Sequence, residues 1–361
     1  MKPKTYLHSL IGISTLFVAG NLKAGASPEG ITPYSYYFDN GTQDESLTIS
    51  REGDRVRHYR WGVFEVPPVD IPATDSKGAV VKKADAKGAM APAGCNERWE
   101  VYAAAYWFDQ HIDQQATRFI PQSNIDMWGA NVGARYHIND QWSVGGQAGF
   151  NDADISMKWF GFKFAKVEVD TWVFTPFVNF EQKNLVAGAD FEAQLQYTYG
   201  SSHYENNILG LTGNRGGYSN TVELTTGLVW TSGDLHHGPV LGGRYTDAHV
   251  DSFNLGPFPF IASNFTSLAS ILGYQASYDI KVGGGKIVPA VSATWEHEYR
   301  GNYHNVVAGV PNGSTDRDTA VLGAGVGWYG NCCWNVVLDY EARLNNASNS
   351  NFVGLKVGKT F

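Results

Sequence analysis

LVAGADFEAQLQYTY, residues 185–199, decides the fold. Leu185, Ala187, Ala189, Phe191, Ala193, Leu195, Tyr197 and Tyr199 recur at every second position. Val186, Gly188, Asp190, Glu192, Gln194, Gln196 and Thr198 stand between them. Successive side chains of a strand point to opposite faces of its sheet. One face of such a strand suits hydrocarbon and the other suits water.

Neighbouring segments repeat the scheme. Trp128, Ala130, Val132, Ala134, Tyr136 and Ile138 alternate with Gly129, Asn131, Gly133 and Arg135. Val144, Ala148 and Phe150 oppose Ser143, Gln147 and Gly149. Leu224, Leu228 and Trp230 oppose Glu223, Thr225 and Gly227, and Val336, Leu338 and Tyr340 oppose Asn335, Asp339 and Glu341. From Arg98 to Phe361 we count about twelve such segments. Two regions, 98–109 and 167–180, alternate poorly. Rings gather near segment ends: Trp128, Trp142, Trp230, Trp295, Trp328, Trp334, Tyr136, Tyr199 and Tyr299. Amphipathic rings favour a membrane interface, so they fit two girdles.

Composition agrees. Glycine accounts for 41 of 361 residues, aromatics for 14% and charged residues for 17%. A disordered chain has fewer rings and more charge. Mean hydropathy is −0.26, too polar for a bundle of membrane helices but ordinary for a membrane β-barrel. The net charge of −8 offers no basic excess for nucleic acid. The N-terminus reads as a secretory signal peptide. Lys2 and Lys4 precede an apolar core from Leu10 to Val18, and Ala24-Gly25-Ala26 is an A-x-A site that starts the mature chain at Ser27. The expected fold is therefore all-β, a 12-stranded antiparallel transmembrane barrel, because a chain that spans a bilayer without helices must close its sheet.

Connections alternate in length. Short turns are expected at 139–141, 182–184, 232–238, 282–285 and 330–333. Longer loops are expected at 110–124, 152–165, 200–217, 254–266 and 300–316. Short periplasmic turns and long outer loops are usual in such barrels. Upstream, 27–64 is a short polar and aromatic segment. Residues 65–94 read as a Pro- and Ala/Lys-rich linker with a short helix over Ala79–Met90.

The C-terminal third resembles the translocator barrel of autotransporters (type V secretion). GPVLGGRYTDAHVDSF (238–253), SLASILGYQASYDI (267–280), VPAVSATWEHEYRG (288–301), RDTAVLGAGVGWYG (317–330) and NFVGLKVGKTF (351–361) carry the resemblance. It implies a domain over 95–361, a linker helix crossing the lumen, and export of an N-terminal passenger. It also implies the outer membrane of a Gram-negative bacterium, reached after signal-peptide cleavage. The expected partners are outer-membrane lipid, periplasmic chaperones and the barrel-assembly machinery, with no nucleic acid and a monomeric state. Val353, Leu355, Val357 and Phe361 share a face of a last strand that resembles the assembly signal. Lys359 departs from the usual apolar residue there, and a lysine at the interface can snorkel.

Arg135, Asp190, Glu192, Glu223, Arg244, Asp279, Glu296, Glu298, Asp339, Glu341, Arg343 and Lys356 are candidate lumen charges, eight acids against four bases. Salt-bridged packing is one reading; an open pore would mildly prefer cations. Lys82, Lys83 and Lys87 of the linker would suit an acidic lumen. Gly323, Gly325 and Gly327 form a stripe that leaves room for a passing backbone or serves curvature. Cys95 precedes the first strand and Cys332-Cys333 sit in the last short turn. A bond from Cys95 to one of that pair would staple the linker to the rim; unpaired or vicinal cysteines are the alternative.

Catalysis is not expected. No G-x-S-x-G elbow occurs, and His297-Glu298 lacks the second histidine of a zinc site, since residue 301 is glycine. His236-His237 is a weak metal candidate. No cofactor is expected. Only 27–94 lie upstream, too few for a repeat-built passenger. The expected function is translocation or display of that segment. The alternative is a stand-alone pore, adhesin or structural barrel whose loops 200–217 and 254–266 bind.

Overall fold

A computed structural model describes residues 98–113, 122–256, 258–260, 262–303, 318–330, 333–346 and 348–361. The signal peptide, the upstream segment and the linker with its expected helix lie outside them, and no helix occurs among them. Fifteen strands are present: β1 Trp99–Ile112, β2 Gln122–His137, β3 Trp142–Trp159, β4 Phe162–Val186, β5 Ala189–Ile208, β6 Leu211–Ser232, β7 Leu235–Val250, β8 Phe253–Leu255, β9 Phe258–Phe260, β10 Ser263–Tyr278, β11 Ile280–Val282, β12 Gly285–Tyr303, β13 Asp318–Gly330, β14 Trp334–Leu344 and β15 Ser348–Thr360. Each barrel strand pairs antiparallel with its neighbours, β1 pairs β15, and β10 pairs β12, so the sheet closes. β10 and β11 are one bent strand interrupted at Asp279, and β8–β9 form a separate ribbon. The barrel is therefore 12-stranded, as the alternation demands.

Both termini of the barrel lie at the short-turn end, called the rim here. The backbones of Trp99 and Phe361 exchange two hydrogen bonds there. The membrane band can be read from the pairing. Trp99 pairs Tyr136 near the rim and Trp107 pairs Trp128 farther up, eight positions along β1. At about 3.3 Å per residue and a tilt of about 40°, that is roughly 20 Å of height. Trp142 with Phe180 and Phe150 with Trp172 mark the same two levels one hairpin further round.

Above the outer belt the polarity of β3 reverses. In the band, Trp142, Val144, Ala148 and Phe150 face lipid while Ser143, Gln147 and Asn151 face inward. Higher up, Asp152, Asp154 and Ser156 face outward while Ala153, Ile155 and Met157 are buried. β4 does the same: Trp172 and Phe174 face lipid, whereas Lys166, Glu168 and Asp170 cover buried Ala165, Val167 and Val169. The outer part of β1–β5 thus folds like a water-soluble sheet. Its inner core adds Phe108, Ile112, Ile125, Met127, Tyr204 and Ile208, with Phe253 and Leu255 of β8 packed against them. Burying each large apolar side chain contributes about 1.5–3 kcal/mol. We call this part the crest.

Three sequence expectations are corrected, two of them in the crest. The loops at 152–165 and 200–217 are instead continuous hairpins, turning at Phe160-Gly161 and Leu209-Gly210. The rim turn placed at 182–184 lies at Ala187-Gly188, inside the alternating run 185–199, so Leu185 and Val186 belong to β4 and not to β5. All three turns put two residues at positive φ: 47° and 81°, 51° and 85°, 49° and 77°. That conformation matches strand twist in two-residue hairpins, but Phe, Leu and Ala are unusual in it. The expected turns at 139–141, 232–238 and 282–285 stand, narrowed to Gly233-Asp234 and Gly283-Gly284 at two of them, while residues 331–332 of the turn expected at 330–333 lie outside the described residues. β8 and β9 occupy much of the expected loop at 254–266.

Candidate functional site: the lumen and its two ends

The lumen is lined by the inward faces of the strands, and their polar residues pair across the ladders. Thr171 and Ser202 lie 2.8 Å apart, Thr175 and Thr198 3.0 Å, and Thr221 and Thr246 3.1 Å. Asn179 donates to the Ser143 hydroxyl at 3.2 Å. In a low-dielectric wall such cross-strand pairs satisfy groups that would otherwise be costly to bury.

Two charged clusters lie within this lining. In the first, Glu100 forms an ion pair with Arg135 at 3.2 Å and accepts from Lys356 at 3.2 Å. Lys356 also sits over the Tyr102 ring, 4.2 Å from its centroid, and Tyr102 donates to Gln147 at 3.1 Å. In the second, Arg244 bridges Glu223 at 3.4 Å and Glu296 at 2.9 Å. Arg343 reaches across β13 to the same Glu296 oxygen at 2.9 Å. Near the rim, Lys286 pairs Asp279 at 2.7 Å. The interdigitated cations and carboxylates favour salt-bridged packing over a bare acidic pore.

Of the residues expected in the lumen, Arg135, Glu223, Arg244 and Glu296 are buried on the inner face. Glu298, Asp339 and Glu341 are half-buried on it, as are Gly323 and Gly325. Asp190 instead caps the rim hairpin, accepting from the Asn184 amide at 2.8 Å. Sequence reasoning missed Glu100 and Lys286. Glu100 lies in the poorly alternating 98–109 stretch, where Tyr102 and Tyr106 also face inward. The signal was the facing glycines: Gly133 pairs Tyr102 and Gly129 pairs Tyr106. A Cβ at either glycine would meet its tyrosine ring within 2.4 Å. Gly327 similarly lies under Tyr329, where a Cβ would meet the ring at 2.6 Å. Room at that point of the stripe is taken by a side chain, not left for a backbone.

Val353, Leu355, Val357, Lys359 and Phe361 all face outward along β15, which ends at the rim. The Lys359 ammonium lies 5.3 Å from the Trp334 ring centroid, which accounts for a cation at an interfacial position. Cys333 is disulfide-bonded; Cys95 and Cys332 lie outside the described residues. The Cys333 carbonyl accepts from the Thr360 amide at 2.9 Å, and Thr360 pairs Glu100 on β1. His236 and His237 lie in β7, not in a turn, and contact different partners: Thr231 at 3.0 Å and Tyr274 at 2.6 Å. Among the described residues no group of His, Cys, Asp or Glu is arranged to hold a metal ion.

On the crest exterior, acids stand side by side across five strands. Asp109 pairs Asp126, Asp126 pairs Asp154, Asp154 pairs Glu168, and Glu168 pairs Glu205. Lys166 binds Asp154 at 2.9 Å and Glu168 at 2.6 Å. Just below, Asp152 pairs Asp170 on the same face.

The translocator domain of the autotransporter NalP from Neisseria meningitidis has this architecture: TM-score 0.61 at 15% identity, over 75% of this chain and 91% of that one. The beta domain of the Bordetella autotransporter BrkA matches with TM-score 0.59 and 15% identity, over 73% and 100%. The transport unit of AIDA-I from Escherichia coli gives 0.52 and 13%, over 78% and 94%. No curated protein sequence matches the chain. The family model described as the autotransporter beta-domain matches residues 105–341. With a closed 12-stranded barrel, a polar lumen and that match over most of its length, the chain belongs to the autotransporter beta-domain family of outer-membrane barrels.

Proposed function

We propose that the barrel exports or displays its own upstream segment, residues 27–64, carried by the linker 65–94. The polar, charge-bearing lumen enclosed by a lipid-facing shell is the observation that supports this most. A hydrated backbone can move through such a lining, whereas an apolar core would exclude it. No step is catalytic in this reading. The chain reaches the outer membrane after cleavage before Ser27. It works as a monomer, and the barrel-assembly machinery reads the strand ending in Phe361.

An epitope tag after Ser27, probed on intact cells with antibody and external protease, tests export. Barrel-dependent surface signal is the expected result. A tag reached only after the outer membrane is opened would make the protein a barrel with a periplasmic or lumenal extension. The crest favours one second reading, a surface-binding barrel, because it projects a folded apolar-cored structure beyond the membrane.

We further propose Cys95 as the disulfide partner of Cys333. β15 alone separates Cys333 from the start of β1, and Cys95 lies four residues upstream of Trp99. Nonreducing peptide mapping should recover a Cys95–Cys333 crosslink. A Cys332–Cys333 pair with free Cys95 would refute it.

A further inference from the structure

The outer mouth is filled with side chains. Met127, Met157, Val167 and Tyr204 in the crest core are each at most 1% exposed. Phe253 and Leu255 of β8 belong to the same core, 7% and 3% exposed. β8 nevertheless belongs to no barrel ladder; it pairs only with β9.

Its seat is built on β6. The Arg215 guanidinium lies between the rings of Tyr204 and Phe253, 5.2 and 5.1 Å from their centroids. The Asn254 carbonyl rests against Gly213, where a Cβ would come within 2.5 Å. The Asp251 amide ties the entry to the Gly216 carbonyl at 2.9 Å. Lifting β8 therefore costs side-chain packing and leaves every barrel ladder intact. Elements of that kind are the ones that open locally.

We propose that β8 is a gate at the outer mouth. Seated, Phe253 and Leu255 close the crest core over the lumen. A segment leaving the lumen has to lift β8, which reseats behind it. The gate rests on the export reading above.

Leu255→Cys, in full-length protein on intact cells, is labelled with a bulky membrane-impermeant maleimide. Phe160→Cys, at a crest tip where Phe160 is 73% exposed, is the reference. Resting Leu255→Cys should react at least roughly ten-fold more slowly than Phe160→Cys. Adding Gly213→Val should unseat β8 and remove most of that protection. Arresting export with a disulfide-closed domain inserted after Ser27 should remove it as well. Equal resting rates at the two sites would overturn the gate. So would protection that persists in arrested cells whose unarrested counterparts show the Ser27 tag at the surface. A tag that never reaches the surface overturns the export reading, and the gate falls with it by a separate readout.

Discussion

Arg244→Ala is expected to destabilise the folded barrel by about 3–5 kcal/mol, the usual cost of removing one partner from a buried ion pair. The Arg244 side chain is 3% exposed and holds Glu223, at 1%, and Glu296, at 7%. Alanine would leave Arg343 as the cation on Glu296 and take from Glu223 its bond to Arg244. Both carboxylates would then sit in the lining with less compensation. Arg244→Lys keeps the charge but loses the planar fork that spans two acceptors. It should recover only part of the loss. Adding Glu223→Gln to Arg244→Ala should recover another part, because it removes a buried charge that has lost its bond to Arg244. The urea midpoint, read by separating folded from unfolded barrel on unheated gels, measures each variant. A loss under about 1 kcal/mol for Arg244→Ala would mean that lumen water screens the cluster as it screens a surface pair.

Gly238→Ala should be the most damaging single methyl in the barrel wall. A Cβ there would stand 1.7 Å from the Leu228 carbonyl oxygen and 2.8 Å from its carbon. Both atoms are backbone, so no rotamer change relieves the clash, and β6 and β7 must separate. The seam is already weak: Pro239 follows directly, and the pairing of the two strands is interrupted between Gly227↔Val240 and Trp230↔His237. The cost should exceed the usual range of about 1–3 kcal/mol for overpacking. Folded barrel in the outer-membrane fraction should fall sharply. Gly146→Ala is the control, since its Cβ would meet nothing nearer than 3.6 Å. Equal yields of the two variants would show that the seam flexes freely.

The band was legible in the sequence because one rule governs it. Apolar out and polar in, at period two, placed Arg135, Glu223, Arg244 and Glu296 inside and Val353, Leu355 and Val357 outside. The same rule failed above the outer belt, where Ile155, Met157 and Val167 turn inward under Asp154 and Glu168. Read as membrane strands these segments alternate wrongly, so they passed for loops. Their turns hid as well: Phe160-Gly161 and Leu209-Gly210 lack the Asn or Asp that marks a hairpin. Period two also ran unbroken through Ala187-Gly188, since a two-residue turn preserves the alternation it interrupts. The lumen clusters were half legible. Arg244 and its acids alternate cleanly, whereas Glu100 shares its face with Tyr102, Ala104 and Tyr106, and an aromatic inner face resembles an outer one.

The acid row on the crest bears on how the barrel enters its membrane. Asp154, Lys166, Glu168 and Glu205 sit on hairpins whose far ends begin on the periplasmic side. All four must traverse hydrocarbon before the crest reaches water again. On an isolated hairpin each would cost on the order of 3 kcal/mol at the bilayer centre. Together they carry a net charge of −2, and the two salt bridges of Lys166 offset part of the cost of taking Asp154 and Glu168 across. The crest core can form only after β1–β5 have arrived, since their inward side chains build most of it.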